Sequence, residues 1–181
     1  MKYISSVRIL FAILFLLTAL FGQTIDIEKS YVKFSVRNMG IRDVIGTITG
    51  MQGTVNFDKA NLNSSVFDVT VNVNTINTEN EKRDEHLKNE DFFETNKWTT
   101  IRFKSKRVAK QDEVFGVFGS LTIKDVTKEV FVPFKIEETN KTIKLTGVNK
   151  INRLDYNVGV DYNNFKIGFK INVEVVCTIN K

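Results

Sequence analysis

One histidine, one cysteine and one proline are all that the 181 residues contain of each. A single His and a single Cys cannot assemble a zinc site of the usual Cys/His type, a disulfide or a redox Cys-x-x-Cys within one chain. One Pro and ten Gly exclude a collagen-like repeat, and a 42% hydrophobic fraction with 15 Phe argues for a folded, aromatic-rich interior rather than disorder. Carboxylate chemistry stays open on composition alone. The length suits one domain with a real core, not two.

The start of the chain is set apart. Lys2 and Arg8 give it positive charge, residues 9–21 are apolar except Thr18, and Gly22 and Gln23 follow. That is the plan of a secretory signal, and the run falls short of the ~20 residues a helix needs to cross a bilayer. Residues 1–22 therefore read as a signal peptide and 23–181 as the domain, placed in the periplasm or secreted. A retained N-terminal anchor is the alternative, because Leu20 rather than Ala stands at the minus-three position of a cut after Gly22. Cleavage removes two basic residues and no acid, which lowers the formal charge from +5 to +3. A charge of that size on one domain names no partner.

Beyond Gln23 the hydrophobic period is two. Val32, Phe34 and Val36 alternate with Tyr31, Lys33 and Ser35, and Phe67, Val69, Val71 and Val73 alternate with Asp68, Thr70 and Asn72. Each stretch reads as a strand with one dry face. Further strands are expected at 44–48, 51–57, 100–108, 114–123, 129–136, 142–148 and 166–179. The lone Cys177 sits in the last of these and reads as buried and inert. Pro133 removes a ladder donor, which predicts an edge, a bulge or a strand crossing at that point. Residues 79–93 break the pattern: charge-dense and free of Gly and Pro, they predict a short helix lying on the strands. About eight or nine strands with one helix make an antiparallel sandwich or barrel. A barrel of this size encloses room for side chains or for one ligand.

The residues that carry chemistry elsewhere are weak here. His86 has Asp84 two positions away, but residues so spaced on a helix do not face each other, and no nucleophile stands near. Its structural reading is a ring nitrogen bonded to a neighbouring loop, with Arg83 paired to an acid. Gly46, Gly50 and Gly53 lie inside strand patterns and read as bends, not as a phosphate cradle. Lys and Arg are mixed with acids, and Phe34, Phe57, Phe103, Phe115 and Phe134 alternate as an inward face does, so nucleic acid is not an expected partner. No catalytic or metal-ligating residue is assigned.

One stretch is distinctive. Residues 69–78 (VTVNVNTINT) with Asn80, Arg83-Asp84, His86-Leu87-Lys88 and Asp91-Phe92-Phe93 resemble the signature of the YceI-like family of lipid- and polyisoprenoid-binding proteins. Ser30, Val32, Phe34 and Val36 resemble its first strand, and Val44, Gly46, Met51, Gly53, Val55, Phe57 and Asp58 its second and third. Residues 119–128 (GSLTIKDVTK) resemble its GxLTIxGVTK element, and residues 151–156 (INRLDY) with Gly159 its INRxDYGVG element. Lys29 and Asn38 stand where the family commonly has His, and Asp125 and Asn157 where it has Gly. The His losses imply altered headgroup recognition at a barrel mouth. The Gly losses fall in turns, where Asp and Asn tolerate left-handed backbone.

The resemblance implies an all-β, lipocalin-like antiparallel barrel of about eight strands with one short helix beside it. It also implies a non-catalytic protein whose interior holds a long-chain apolar lipid, a polyisoprenoid, isoprenoid quinone or fatty-acyl compound, for transport or storage in the cell envelope. No cofactor is expected beyond that lipid. Transient membrane contact and a homodimer are compatible partners. The alternative is a structural or interaction barrel with a packed core and no ligand. Strand parity assigns Val32, Phe34, Val36, Val55, Phe57, Val69, Val71, Ile101, Phe103 and Phe118 to the ligand-facing wall, with Phe118 and Phe115 at opposite parity in one strand. Arg83, His86, Phe92, Phe93, Trp98 and Arg153 are candidates for the headgroup or mouth.

Overall fold

The computed structural model of the protein describes residues 23–181; the expected signal peptide, residues 1–22, lies outside them. Ten strands and one α-helix make up the fold: β1 (Thr24–Ile25), β2 (Tyr31–Asn38), β3 (Arg42–Ile48), β4 (Gln52–Asn56), β5 (Val66–Asn72), α1 (Glu81–Lys88), β6 (Thr100–Gln111), β7 (Val114–Ile123), β8 (Val126–Glu138), β9 (Thr142–Asn152) and β10 (Ile167–Asn180). They form one antiparallel sheet in the order β3-β2-β10-β9-β8-β7-β6-β5-β4, with the short β1 beside β10. The expected all-β, lipocalin-like fold is what the chain adopts. Nine strands form the path of the sheet, and the two-residue β1 adds a tenth at one end of β10.

The sheet curls into a barrel that its ladders leave open along one seam. The outermost strands β3 and β4 are consecutive in the chain, and the seam is held by a bridge between Thr47 and Asn77 and by Asn72 N–H donating to the Thr49 carbonyl at 3.1 Å. Two-residue loops close the β6–β7 and β7–β8 hairpins, with Asp112 at φ 52° and Lys124 at φ 55°; left-handed backbone at such loops matches the strand twist. Left-handed backbone also falls on Asn157, at φ 54° and ψ 36°, as its type allows. In the β7–β8 turn that role goes to Lys124 rather than to Asp125.

Helix α1 is shorter than the 79–93 stretch predicts. Asn80 caps its start by accepting from Arg83 N–H, with Glu81 and Asp84 in the first turn and His86 and Lys88 in the last, all favourable to the helix dipole. It ends where Asn89 turns extended, which carries Phe92 inward to 3% exposure.

Two apolar clusters plug the barrel. At one end the rings of Phe57, Phe67, Phe115 and Phe134 pack at centroid separations from 5.9 to 6.4 Å, each such pair adding ~0.5–1.5 kcal/mol beyond its burial. Gln23 pins this plug from outside: its side chain donates to the Phe57 carbonyl at 2.8 Å and accepts from Phe57 N–H at 2.7 Å. At the other end Phe92, Ile123, Tyr156 and Val158 form a second cluster, with Leu87 and Phe93 packed against it.

Pro133 sits at a local edge of β8. Residues of β8 before it pair with β7 only, and the β8–β9 ladder begins at Phe134 opposite Gly147. A residue without N–H cannot extend that ladder.

Candidate functional site: an apolar cavity inside the barrel

Between the two plugs lies a cavity of about 270 Å³. It runs from Phe67, Phe134 and Leu145 at one end to Tyr156, Val158 and Ile167 at the other. Seven of the ten residues that parity assigns to the wall are there: Val32, Phe34 and Val36 from β2, Val69 and Val71 from β5, and Ile101 and Phe103 from β6. Val55 and Phe57 are buried at 3% and 2% but belong to the packed core at the aromatic plug, because the chain passes from β4 into the Gln23-pinned turn there. Phe118 faces out, 37% exposed, and the inward residues of its strand are Val117, Leu121 and Ile123. Its direction follows from regular alternation along β7, which puts Phe118 on the outward face with Ser120 and Thr122; the bulge in β6 between Ser105 and Arg107 turns Arg107 outward to meet it.

The wall of β10 was not legible in advance. Ile171, Val173, Val175 and Cys177 line the cavity, yet Val175, Val176 and Cys177 are consecutive apolar residues, so alternation gave no face. Burial pushes the Cys177 thiol up to about 12, which keeps it protonated and inert.

The mouth candidates part company. Phe92 and Phe93 line the cavity beneath α1. Trp98 is half-buried away from it, with Lys97 Nζ 5.1 Å above its ring. His86 Nε2 lies 3.1 Å from Asp91 Oδ2 and 3.0 Å from the Tyr162 hydroxyl, tying α1 to the loops beside it, as its structural reading expects. Burial, then the Asp91 charge, raises the Tyr162 phenol above its ordinary value. Arg83 is not paired with an acid: Nε donates to Thr78 Oγ1 at 2.8 Å and a terminal nitrogen to the Thr78 carbonyl at 2.7 Å, while Asp84 accepts from Thr78. It borders a separate surface groove beside β3, not the cavity.

Arg153 is 4% exposed and touches the cavity wall. Its Nε donates to the Gly168 carbonyl, one terminal nitrogen to Val158 and Gly159, and the other to Tyr162 and Ile167. All five N–H donors of a guanidinium are thereby used on backbone carbonyls. Burial lowers its pKa from the ordinary value, and five carbonyl dipoles replace the lost water around the charge. It fastens the loop 157–166 across the barrel end and has no donor left for a headgroup. Lys29 and Asn38, the positions that imply a changed mouth, flank opposite ends of β2 and cannot share one mouth.

Among the described residues no buried side-chain nitrogen or oxygen lacks a hydrogen-bond partner. The wall offers mainly apolar area and shape, its few polar residues being Thr70, Asn149, Arg153 and Tyr156. Among the same residues there is no cluster of His, Cys, Asp and Glu fit to hold a metal, and no helix is long and apolar enough to cross a membrane.

The chain was compared with known proteins. A family profile described as YceI-like domain matches residues 23–179. Protein YceI of Salmonella arizonae is 28% identical over 140 residues, covering 74% of this chain and 73% of that protein. The crystal structure of the Campylobacter jejuni YCEI protein is 28% identical and superposes with a TM-score of 0.72 over 78% of this chain and 86% of its own. BcnA of Burkholderia cenocepacia, at 21% identity, has a TM-score of 0.80 over 85% of this chain and 98% of its own. A polyisoprenoid binding domain from Saccharophagus degradans implicated in plant cell wall breakdown, at 14% identity, has a TM-score of 0.72 over 88% of this chain and 98% of its own. The last two are likenesses of fold.

Proposed function

We propose that this chain, which belongs to the YceI-like family, binds a long-chain apolar lipid inside its barrel without transforming it, for transport or storage in the cell envelope. A polyisoprenoid, an isoprenoid quinone and a fatty-acyl compound all meet the chemistry of the wall. The observation that carries this reading is the apolar cavity of about 270 Å³ between two plugs, which favours a ligand-holding barrel over one with a filled core. Its volume sits at the small end of ligand sites, which run from ~300 to 1,000 Å³. A slender chain suits it better than a fused ring system.

The energetics agree. Each methylene removed from water contributes ~0.8 kcal/mol, so ~10 carbons offer ~8 kcal/mol before ordering costs. Micromolar binding requires about 8.2 kcal/mol, so secure retention needs a longer chain. On a wall so largely apolar, length and shape set most of the selectivity, and a headgroup would remain in water. Placement in the periplasm or outside the cell follows if residues 1–22 act as the signal peptide that their pattern suggests.

The test is native mass spectrometry of protein purified without detergent from a membrane-containing host, followed by extraction of the ligand. A bound mass that extracts as a polyprenyl, quinone or acyl chain is expected. Phe34→Asp, checked by circular dichroism for an intact barrel, is expected to lose it. Ligand-free protein from several such hosts would overturn the reading.

A further inference from the structure

Strand β8 pairs with β7 from Ile123 opposite Val126 to Phe115 opposite Phe134, but its ladder with β9 stops at Phe134 opposite Gly147. Beyond Pro133, residues 126–133 and 148–152 face each other without ladder pairing. Asn149 Nδ2 reaches across and donates to the Phe131 carbonyl at 3.2 Å. The side chains that flank this cleft on the inside, Val130, Val132, Asn149 and Ile151, line the cavity. The barrel wall thus has a gap in its ladder where the apolar interior lies directly behind it.

The outer surface beside the cleft carries an exposed apolar patch. Phe118 and Phe131, opposite each other in the β7–β8 ladder, stack with centroids 4.5 Å apart and are 37% and 44% exposed. Val148, across the cleft on β9, is 53% exposed. The Phe131 ring lies against Gly116, where a Cβ would come within 2.2 Å of it, so the backbone is shaped to seat that ring on the surface. Basic groups rim the patch: the Arg107 guanidinium stands 4.6 Å from the Phe118 ring, and Lys135 and Lys150 are exposed with no salt bridge among the described residues. Of the nearby acids, Glu129 is engaged by Lys106 and Ser120, and Glu174 lies opposite Val148.

We propose that this outer face of β7, β8 and β9 docks on an anionic lipid surface and presents the β8–β9 cleft to it as the entrance of the cavity. Exposed aromatic rings enter the interface of a bilayer while flanking cations meet anionic headgroups. The cleft lets a chain pass sideways from the membrane into the barrel without opening either plug. The proposal deepens the lipid-binding reading and rests on it for the route, whereas the docking surface is tested separately.

Two measurements decide it. Flotation with vesicles of phosphatidylethanolamine and phosphatidylglycerol is expected to carry the wild-type protein up, and phosphatidylcholine vesicles to carry less. Uptake of cis-parinaric acid, a long fluorescent acyl chain, is then followed from those vesicles and from ethanol. The Phe118→Ser/Phe131→Ser variant is expected to lose flotation and to take the probe from vesicles about tenfold more slowly or worse, while its equilibrium uptake from ethanol is unchanged. Lys135→Glu/Lys150→Glu, which leaves the rings in place, is expected to slow vesicle uptake and remove the preference for anionic vesicles.

Wild-type flotation and transfer rates that survive both pairs of substitutions would overturn the docking surface. So would a dimer in sedimentation that the serine variant dissociates, because the patch would then bury itself against a second copy. Failure of the wild type to take the probe even from ethanol would overturn the lipid-binding reading and the route with it, and flotation would still decide the docking face.

Discussion

The ring of Phe34 fills the space in front of Gly46, its direct partner across the β2–β3 ladder: a Cβ on Gly46 would come 2.4 Å from the ring and 2.8 Å from Thr78 Cγ2. The glycine is there for room, since its backbone is ordinary strand. Phe103 lies diagonally across from Gly119, the direct partner of Ser105; a Cβ there would come 2.5 Å from the Lys104 carbonyl oxygen and 2.6 Å from the Phe103 ring. Two of the aromatic residues on the cavity wall therefore owe their position to a missing side chain on the next strand.

Gly46→Ala is expected to push the Phe34 ring towards the cavity, costing about 1–3 kcal/mol as overpacking does and lowering the amount of lipid that co-purifies. Urea unfolding and native mass spectrometry read the two effects. Unchanged stability together with unchanged lipid would show that the ring moves freely.

Arg153→Met is expected to remove the guanidinium donors from five carbonyls, of which that of Gly159 keeps the Tyr162 N–H. Each buried unpaired group costs ~1–3 kcal/mol, softened where water enters, so a loss of several kcal/mol is expected in urea. Hydrogen exchange should rise in residues 157–166 before it rises in β6 and β7. Uniform exchange across the barrel would contradict the role of Arg153 as the fastener of that loop.

Cys177 is expected to resist maleimide in the folded protein and to react fully in denaturant. Its thiol, pushed up to about 12 by burial, holds almost no thiolate at neutral pH. Rapid labelling of the native protein would mean that water reaches the cavity wall at β10.

Asp68 accepts both Nε and a terminal nitrogen of Arg102, at 2.8 and 2.7 Å, and that bonding holds its carboxyl below the ordinary value. A folded-state pKa lowered in this way contributes stability above the unfolded value, and the contribution is lost as pH falls through the folded one. Asp68→Asn is therefore expected to be the less stable protein at neutral pH, by under about 1 kcal/mol for so exposed a pair. The gap should close in acid below the ordinary carboxylate range. A gap that persists there would trace to packing rather than to charge.

Most of the strands could be read from alternation because their inner faces are continuous and their outer faces polar, as in β2 and β5. Where that contrast fails, the reading failed with it. In β10 both parities are apolar around Val175, Val176 and Cys177, so its contribution to the wall was missed. In β7 the exposed Phe118 carries the hydrophobic signal of an inward residue, although it shares the parity of the polar Ser120 and Thr122 on the outer face. Phe57 looks like a wall residue by parity; the Gln23 side chain that folds its backbone into the plug lies 34 positions away.

The sequence by itself determined the kind of protein: an all-β chain of the YceI-like family with its short helix, a dry face on most strands, and too little His and Cys for a Cys/His zinc site or a disulfide within the chain. Those properties are local or compositional, and they survive any arrangement of the strands. Tertiary structure decided whether the dry faces meet or stand apart, which is a matter of barrel curvature and of plugs built from distant residues. It also decided that Arg153 spends every donor on the loop it fastens, and that the ladder of β8 and β9 parts at Pro133. Each of these depends on which strand lies beside which, and pairing across the sheet is a long-range outcome that alternation along one strand does not encode.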